Sequence, residues 1–264
     1  MNYKQLVVDV DGAVATLRMD NAEKLNALSP TLTRELVQAL QELGQDPSVR
    51  ALILTGTGRG FSAGADLAML EEPYRKGERP KLSRILKEGY NQLIPLLTEA
   101  PKPVIGALNG VVAGAGISLA LACDIRIASE EAAFWPAFVK VGLIPDAGSS
   151  YLLPRTVGIA KALELAITGD PIDAATALHL GLVHKVFPPE HLLSGSAELA
   201  MRLAALPTRA IALTKQMFNE ATRMTLSQAM DREAEFQDEA AATDDHIEGV
   251  LAFLEKRTPA FTGK

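Results

Sequence analysis

Two short segments of the chain contain residues that could do chemistry on a carbonyl compound. Residues 109–116, Asn-Gly-Val-Val-Ala-Gly-Ala-Gly, lie in an uncharged run that extends over 103–123. An apolar strand followed by a turn of small residues and a helix leaves backbone N–H groups exposed where the helix starts, and a ligand can approach them closely. Residues 142–150 contain one carboxylate, that of Asp146. Anion-stabilising amides beside one acid indicate proton transfer next to a carbonyl group.

The sequence around Asp146 leaves two roles open for its side chain. Pro-Asp-Ala-Gly at 145–148 precedes a predicted helix, which is the usual setting of an N-cap aspartate. The same carboxylate could instead act as a catalytic base. The two roles are compatible with each other.

A serine-hydrolase interpretation of the glycine-rich loop is disfavoured. Residues 60–64, Gly-Phe-Ser-Ala-Gly, match the nucleophile-elbow pattern, in which Ser62 would be activated by a downstream aspartate and histidine. The elbow requires its serine directly at the end of a strand, whereas residues 56–60 separate Ser62 from the predicted strand at 51–55. The same glycines lack the Gly-Lys-Ser/Thr ending of a phosphate-binding loop. The four histidines show no metal-ligand spacing, so we expect no metal.

Composition excludes several classes of protein. The 264 residues are 48% hydrophobic and 22% charged, with a net charge of −6, which is typical of a globular protein and not of a nucleic-acid or membrane-surface binder. The single cysteine, Cys123, and the absence of an apolar targeting segment in Met1–Asp9 favour a reducing, cytoplasmic location. The run at 103–123 is long enough to span a bilayer, but its glycines and Asn109 favour a buried strand, turn and helix, and we expect no membrane association.

The pattern of apolar residues predicts an α/β fold. Asp11-Gly12 between two apolar runs predicts a β-hairpin, and Ser29-Pro30 predicts the start of a helix. Strands alternate with helices up to about Pro189, and the remainder is helical throughout. We therefore predict a core of residues 1–195 and a helical region of residues 196–264 that packs on the core or on a neighbouring subunit. Further short apolar runs predict buried strands at 51–55, 104–108, 125–128 and 183–187.

Two predictions concern the segment between the first and second of these strands. Residues 71–81 are polar and contain two prolines and a glycine, which predicts a loop. Residues 82–98 have helical spacing of apolar side chains, and Pro95 is expected to kink this helix or end it early.

These motifs together resemble the enoyl-CoA hydratase/isomerase (crotonase) superfamily over nearly the whole chain. The resemblance implies an α/β spiral of repeated ββα units with a C-terminal helical trimerisation region, assembled as a homotrimer or a dimer of trimers. It also implies an acyl-CoA thioester as substrate, and no cofactor is expected because CoA is part of that substrate. The segments that carry the resemblance are 26–28, 58–67, 109–116, 142–148, 153–155, 168–170, 181–183 and 249–257.

The resemblance also assigns roles to individual residues. The backbone N–H groups of Ala65 and Ala115 match the two that hold the thioester oxygen in an oxyanion hole. The positions that match substrate or CoA contacts are Ala63, Gly64, Asp66, Leu67, Gly114, Phe138, Lys256 and Phe261.

The chain departs from the family's hydratase pattern at two positions. Hydratases carry two glutamates that hold and activate water, and the matching residues here are Ser118 and Phe138, neither of which is a general base. Asp146 in Ile-Pro-Asp-Ala-Gly instead resembles the isomerase branch, nearest to the ring-epoxide phenylacetyl-CoA isomerases. A dehalogenase branch also has an aspartate here, but it adds an earlier histidine, and this chain has none before His179.

We therefore expect an enzyme that isomerises acyl-CoA esters in fatty-acid or phenylacetate catabolism. Asp146 would move a proton and a double bond, or open a ring epoxide, through an enolate held by the oxyanion hole. An enoyl-CoA hydratase and a non-catalytic acyl-CoA-binding protein are the alternatives.

Overall fold

The computed structural model describes residues 3–264, and these residues form two β-sheets surrounded by helices. Their ten strands, in chain order, are β1 Leu6–Asp11, β2 Val14–Met19, β3 Ala51–Gly56, β4 Gly60–Ser62, β5 Val104–Leu108, β6 Val111–Ala113, β7 Ile125–Ser129, β8 Ala133–Trp135, β9 Ile172–Asp173 and β10 Lys185–Phe187. The first sheet has the order β1-β2-β3-β5-β7-β10, and the second has the order β4-β6-β8-β9.

Helices connect and cover these strands. The α-helices of the described residues are α1 Pro30–Gln45, α2 Glu71–Arg75, α3 Leu82–Ile85, α4 Asn91–Thr98, α5 Ala115–Leu121, α6 Ser149–Val157, α7 Ile159–Thr168, α8 Ala174–His179, α9 Leu192–Ala204, α10 Thr208–Ala221, α11 Leu226–Ala241 and α12 Asp244–Glu255. None of the helices within residues 3–264 is both long enough and apolar enough to cross a bilayer.

The strands follow a repeated ββα order that confirms the predicted fold class. In three successive repeats the first strand (β3, β5, β7) joins the first sheet and the second strand (β4, β6, β8) joins the second sheet. Neighbouring strands of these repeats pair in parallel within each sheet. The chain segments that leave β4, β6 and β8 therefore emerge at the same edge of the second sheet.

Local sequence explains the first elements. β1 and β2 form the predicted antiparallel hairpin, with Gly12 in the left-handed region at φ 55°, where glycine has no Cβ penalty. Helix α1 begins as predicted, with Ser29 Oγ accepting the Leu32 N–H at 3.0 Å and Pro30 in the first helical position.

The central strands are buried on both faces, which accounts for their continuous apolar runs. Leu52 and Leu54 of β3 belong to the main core, to which α1 also contributes. Ile53, which points to the opposite face of the strand, packs in a second core with Leu192 and Ala200 of α9. The predicted boundary between residues 195 and 196 falls inside α9, and the division of the chain into two domains stays a prediction.

The segment between β4 and β5 differs in part from the prediction. The polar stretch at 71–81 contains the short helix α2 instead of being a loop throughout. Residues 82–98 are helical as predicted, with a π-helical turn at Leu86–Tyr90 between α3 and α4. The helix continues past Pro95 to Thr98, so the predicted early end is wrong.

The last residues of the chain are hydrogen-bonded to α12 and to the core. The buried Asp245 carboxylate accepts the N–H groups of Thr262 and Gly263 at 2.6 and 2.8 Å. Arg50, at the entry to β3, donates to the Phe261 carbonyl at 2.8 Å. Large apolar side chains on α10, α11 and α12 remain exposed, among them Phe218, Leu226 and Phe253.

Asn26 is fully buried and connects the loops around β4. Its side-chain amide donates to the carbonyls of Thr57 and Gly60 at 3.0 and 2.7 Å. Its side-chain oxygen accepts the Asn21 N–H at 2.9 Å, and its backbone carbonyl accepts the Ser62 hydroxyl at 2.9 Å. Asn26 has φ 54°, a conformation that asparagine tolerates better than most residues.

Asn26→Ala is expected to lower the free energy of unfolding by about 2–4 kcal/mol, because it removes three hydrogen bonds at a buried site. Urea unfolding followed by circular dichroism measures the change. The control is Asn219→Ala, which removes one exposed hydrogen bond to the Thr98 carbonyl. Equal losses in the two variants would contradict the structural role of Asn26.

Candidate active site

Two glycine turns touch each other at the edge of the second sheet. Gly64 follows β4 with φ 86°, and Gly114 follows β6 with φ 48°. A Cβ atom on Gly64 would lie 2.6 Å from the Ala113 carbonyl oxygen and 2.9 Å from the Ala115 nitrogen. The close approach of the two turns therefore requires glycine at position 64. A Cβ on Gly114 would meet no atom within 4 Å, so the space in front of this glycine is open.

The residues that follow these glycines present backbone amides to that space. Ala115 is the first residue of α5, where an N–H group has no acceptor within the helix. Ala65 pairs with Leu28 in an isolated parallel bridge, in which the Leu28 N–H donates to the Gly64 carbonyl at 2.7 Å. Among the described residues, neither the Ala65 nor the Ala115 N–H has a hydrogen-bond acceptor. Two adjacent amides are therefore available to an oxygen atom of a ligand.

Asp146 lies in the turn between a 3-10 turn at Ala137–Val141 and helix α6. Its side chain is half-buried, and within residues 3–264 its buried Oδ1 atom has no hydrogen-bond partner. Burial raises the pKa of this carboxyl above that of an ordinary aspartate, because the charged form is poorly solvated. Its free oxygen and raised basicity fit a group that accepts a proton.

The N-cap interpretation of Asp146 is wrong. Helix α6 begins at Ser149 with Gly148 in the N-cap position and no side-chain cap. The Ser149 N–H donates to the Asp146 backbone carbonyl at 2.8 Å, not to its carboxylate. Ala147 and Gly148 both have positive φ, 48° and 86°, and this sharp turn separates Asp146 from the helix start.

A hydrogen bond connects the Asp146 turn to the helix that starts at Ala115. Ser118 lies three residues after Ala115 on α5, and its hydroxyl donates to the Asp146 carbonyl at 3.0 Å. Three residues span less than one helical turn, or about 5 Å along the axis. The carboxylate-bearing turn is therefore held close to the Ala115 amide.

Tyr90 is a site residue that the sequence analysis missed. It lies in the π-helical turn, and its hydroxyl is 3.3 Å from the Leu28 carbonyl. Its pKa is raised by burial and by the nearby charges of Asp146 and Asp66, so the phenol stays neutral. A π-helical turn is often found at functional sites, but the sequence gives no signal that would have located it.

The remaining residues predicted for the site lie in several environments. Asp66 forms an ion pair with Lys24 at 2.8 Å and caps the 3-10 turn at Leu67–Leu70 by accepting the Ala68 N–H. Leu67 is exposed, and Ala63 is half-buried. Phe138 is buried in the turn that precedes Asp146.

The two C-terminal residues predicted to approach CoA lie on the helical region. Lys256 ends α12 in a left-handed conformation and is exposed. The ring of Phe261 lies next to Gly249 of α12. Arg50 donates to the Phe261 carbonyl, and the contact of Lys256 and Phe261 with a substrate stays a prediction.

The structure gives Ser62 a structural role instead of a nucleophilic one. Its fully buried hydroxyl donates to the Asn26 carbonyl and accepts the Gly64 N–H at 3.2 Å. His184, one of the histidines downstream, accepts the Arg126 N–H through Nδ1 at 3.0 Å. The serine-hydrolase interpretation is therefore not supported.

Gly64→Ala is expected to destabilise the fold by about 2 kcal/mol or more beyond Gly77→Ala, because only the former adds a backbone clash. Gly77 also has positive φ, 75°, but a Cβ there would meet no atom within 4 Å. Urea unfolding of the two variants separates the clash from the cost of positive φ. Equal destabilisation would show that the two glycine turns are not in tight contact.

Comparisons with known proteins identify the family and agree with the fold. The family described as enoyl-CoA hydratase/isomerase matches residues 9–264. The 1,2-epoxyphenylacetyl-CoA isomerase of Escherichia coli is 43% identical over 97% of both chains, and a probable enoyl-CoA hydratase of Rhodobacter capsulatus is 37% identical over 100% of both. The crystal structure of a putative enoyl-CoA hydratase/isomerase from Mycobacterium abscessus, 37% identical, superposes with a TM-score of 0.91 over 98% of this chain and 100% of that one. The chain belongs to the enoyl-CoA hydratase/isomerase family.

Proposed function

We propose that this protein is an acyl-CoA isomerase that uses Asp146 as its only acid–base group. The observation that carries the proposal is the half-buried Asp146 carboxylate, held close to the Ala115 amide, where both its Oδ1 atom and that amide lack a hydrogen-bond partner within residues 3–264. The isomerase name of the Escherichia coli relative supports the same activity. CoA enters as part of the substrate, and the chemistry requires no separate cofactor.

The proposed reaction begins with the thioester oxygen bound to the N–H groups of Ala65 and Ala115. Asp146 removes a proton from the carbon next to the thioester, and the electron pair of the broken C–H bond moves into an enolate. The two amides stabilise the negative oxygen, and one such donor is typically worth about 3–4 kcal/mol in the transition state. Asp146 then returns the proton to a carbon further along the chain, which shifts the double bond.

The same electron flow could act on a ring epoxide. Loss of the same proton would give an enolate whose electron pair forms a C=C bond to the ring carbon while the epoxide C–O bond breaks. The pair of that C–O bond goes to the epoxide oxygen, which takes the proton back from Asp146, so no water is added. A single carboxylate suffices for both reactions. Phe138, which is buried next to the Asp146 turn, and Leu143, which is half-buried, would exclude water from the base.

The environments of Ser118 and Phe138 favour isomerisation over hydration. The Ser118 hydroxyl hydrogen-bonds to the Asp146 carbonyl and to the Ser149 hydroxyl, and Phe138 has no group that could bind or activate water. Hydration requires a base for the attacking water, and among the described residues of the site we assign that capacity to Asp146 alone. Hydratase activity is the alternative, because relatives carry that name as well. A non-catalytic acyl-CoA-binding protein is the second alternative.

A homotrimer or a dimer of trimers is part of the proposal. Exposed apolar side chains cluster on the C-terminal helices, where Phe253 is 82% exposed and Leu254 is 69% exposed. Side chains of this kind are commonly covered in an assembly.

Asp146→Asn is expected to lower isomerisation by about 10²–10⁴-fold while binding of the CoA ester is retained, because the base is lost and the amides remain. A panel of β,γ-unsaturated, α,β-unsaturated and cyclic acyl-CoA esters is incubated in deuterated water and followed by mass spectrometry. The control Asp170→Asn removes an exposed carboxylate that pairs with Lys140 and should retain full activity.

The same panel distinguishes the alternatives. Deuterium exchange with isomerisation is expected from the wild-type protein. Rapid addition of water to crotonyl-CoA would favour the hydratase, and binding without exchange would favour the non-catalytic protein. Retention of most of the turnover by Asp146→Asn would show that the base has been assigned wrongly.

The pH dependence should show the raised pKa of Asp146. The base must be ionised, so kcat/KM is expected to fall on acidification with a midpoint above the ordinary aspartate value of about 3.9. A folded pKa above the unfolded one means that ionisation of Asp146 opposes folding at neutral pH, and this cost disappears below the unfolded pKa. Asp146→Asn should therefore melt at the same or a higher temperature at pH 7. A lower melting temperature would contradict an unpartnered buried carboxylate.

A further inference from the structure

Two buried hydroxyl groups form a short hydrogen-bonded chain that ends on the main chain of Asp146. Ser118 Oγ is 2.6 Å from Ser149 Oγ and 3.0 Å from the Asp146 carbonyl oxygen. A carbonyl can only accept, so the single Ser118 hydroxyl proton is directed at Asp146. The Ser149 hydroxyl must then donate to Ser118. The chain therefore has one consistent direction, from Ser149 through Ser118 to Asp146.

The turn that these hydroxyl groups hold in place has an unfavourable backbone conformation. Ala147 has φ 48° and Gly148 has φ 86°, and a left-handed alanine costs about 1–2 kcal/mol. The Asp146 carbonyl accepts two hydrogen bonds, one from the Ser149 N–H within the turn and one from Ser118 on α5. The bond from Ser118 is the one that fixes the turn relative to the helix that begins at Ala115.

The carboxylate depends on this main-chain attachment for its position. Its Oδ1 atom has no partner among the described residues, so no hydrogen bond to that oxygen orients it. A carboxylate that must remain free to take a proton cannot be fixed by strong bonds to its own oxygens. Its position must instead come from the backbone that carries it.

We propose that Ser118 is a positioning residue that sets the placement of the Asp146 carboxylate relative to the oxyanion amides, with Ser149 in a supporting role. This inference rests on the proposed function. The proposal assigns a role to Ser118, which occupies the position of a water-activating glutamate in the family's hydratases. The Ser118 hydroxyl positions the base by hydrogen-bonding to the main-chain carbonyl of Asp146, and it does not contact the reacting atoms.

The direction of these hydrogen bonds predicts that substitution of Ser118 and of Ser149 will affect catalysis unequally. Ser118→Ala removes the bond that joins α5 to the turn. Ser149→Ala leaves the Ser118 hydroxyl and the Ser149 N–H in place, so both bonds to the Asp146 carbonyl remain. A role in packing alone would give the two buried positions similar effects, because both side chains are almost fully inaccessible.

Ser118→Ala is expected to lower kcat by about 10–100-fold with KM within about threefold, because a small displacement of a catalytic group impairs the chemical step more than binding. Ser149→Ala should lower kcat by less than about fivefold, since the donor to Asp146 is retained. The control Ser196→Ala removes another buried serine hydroxyl, one without a hydrogen-bond partner in the described chain, and should leave kcat unchanged.

A pH profile separates positioning from a general loss of structure. In Ser118→Ala the loosened carboxylate gains contact with water, so the acid limb of kcat/KM should move to lower pH. Tyr90, the ionisable side chain whose pKa responds to Asp146, remains neutral and adds no limb at acidic pH. Melting temperatures identify any variant that does not fold. Should Ser118→Ala be unfolded, Ser118→Cys keeps the size of the side chain with a weaker donor and should show the same loss of kcat.

The outcomes distinguish this inference from the proposed function. Loss of activity in Asp146→Asn together with full kcat and an unmoved acid limb in Ser118→Ala would overturn the positioning role alone. Equal losses in Ser118→Ala and Ser149→Ala would overturn it as well. A wild-type protein that does not isomerise, or that retains activity in Asp146→Asn, would overturn both.

Discussion

The half-buried Asp146 carboxylate has one oxygen without a hydrogen-bond partner in the part of the chain that the structure describes. Such a group opposes folding, because burial disfavours its charge and no donor to that oxygen compensates. The structure tolerates it because the surrounding bonds are made to the backbone of Asp146 and not to its free oxygen. A carboxylate held in this way is pre-organised and still able to take a proton.

The repeat architecture explains why the carboxylate meets two free amides. The second strands of three successive repeats, β4, β6 and β8, lie side by side in the second sheet. The segments that follow them supply Ala65, Ala115 and the approach to Asp146. Each segment is local to its own repeat, and parallel pairing brings them together. The buried Asn26 and the close contact at Gly64 fix the first two segments relative to each other.

Local sequence signals predicted most of the elements and the exposed amides of the turn in residues 109–116. The small residues of that turn indicated exposed amides, because positive φ and close approach require glycine. The assignment of the two amides to Ala65 and Ala115 came from the family resemblance. Reasoning from local sequence left both an N-cap role and a catalytic role open for Asp146. The structure excludes the N-cap role, because the left-handed Ala147 delays the helix to Ser149. Tyr90 and the bond from Ser118 to Asp146 were beyond prediction, since both depend on contacts between elements that are distant in the sequence.

The central claim is that one thioester oxygen can lie on both amides while the reacting carbon faces Asp146. A crystal structure with a saturated acyl-CoA, which cannot isomerise, tests it most directly. The account predicts the thioester oxygen at about 2.7–3.1 Å from the nitrogens of Ala65 and Ala115. It also predicts a carboxylate oxygen of Asp146 at about 3–3.5 Å from the carbon next to the thioester. A thioester bound away from the amides, or an Asp146 carboxylate turned away from that carbon, would contradict the account.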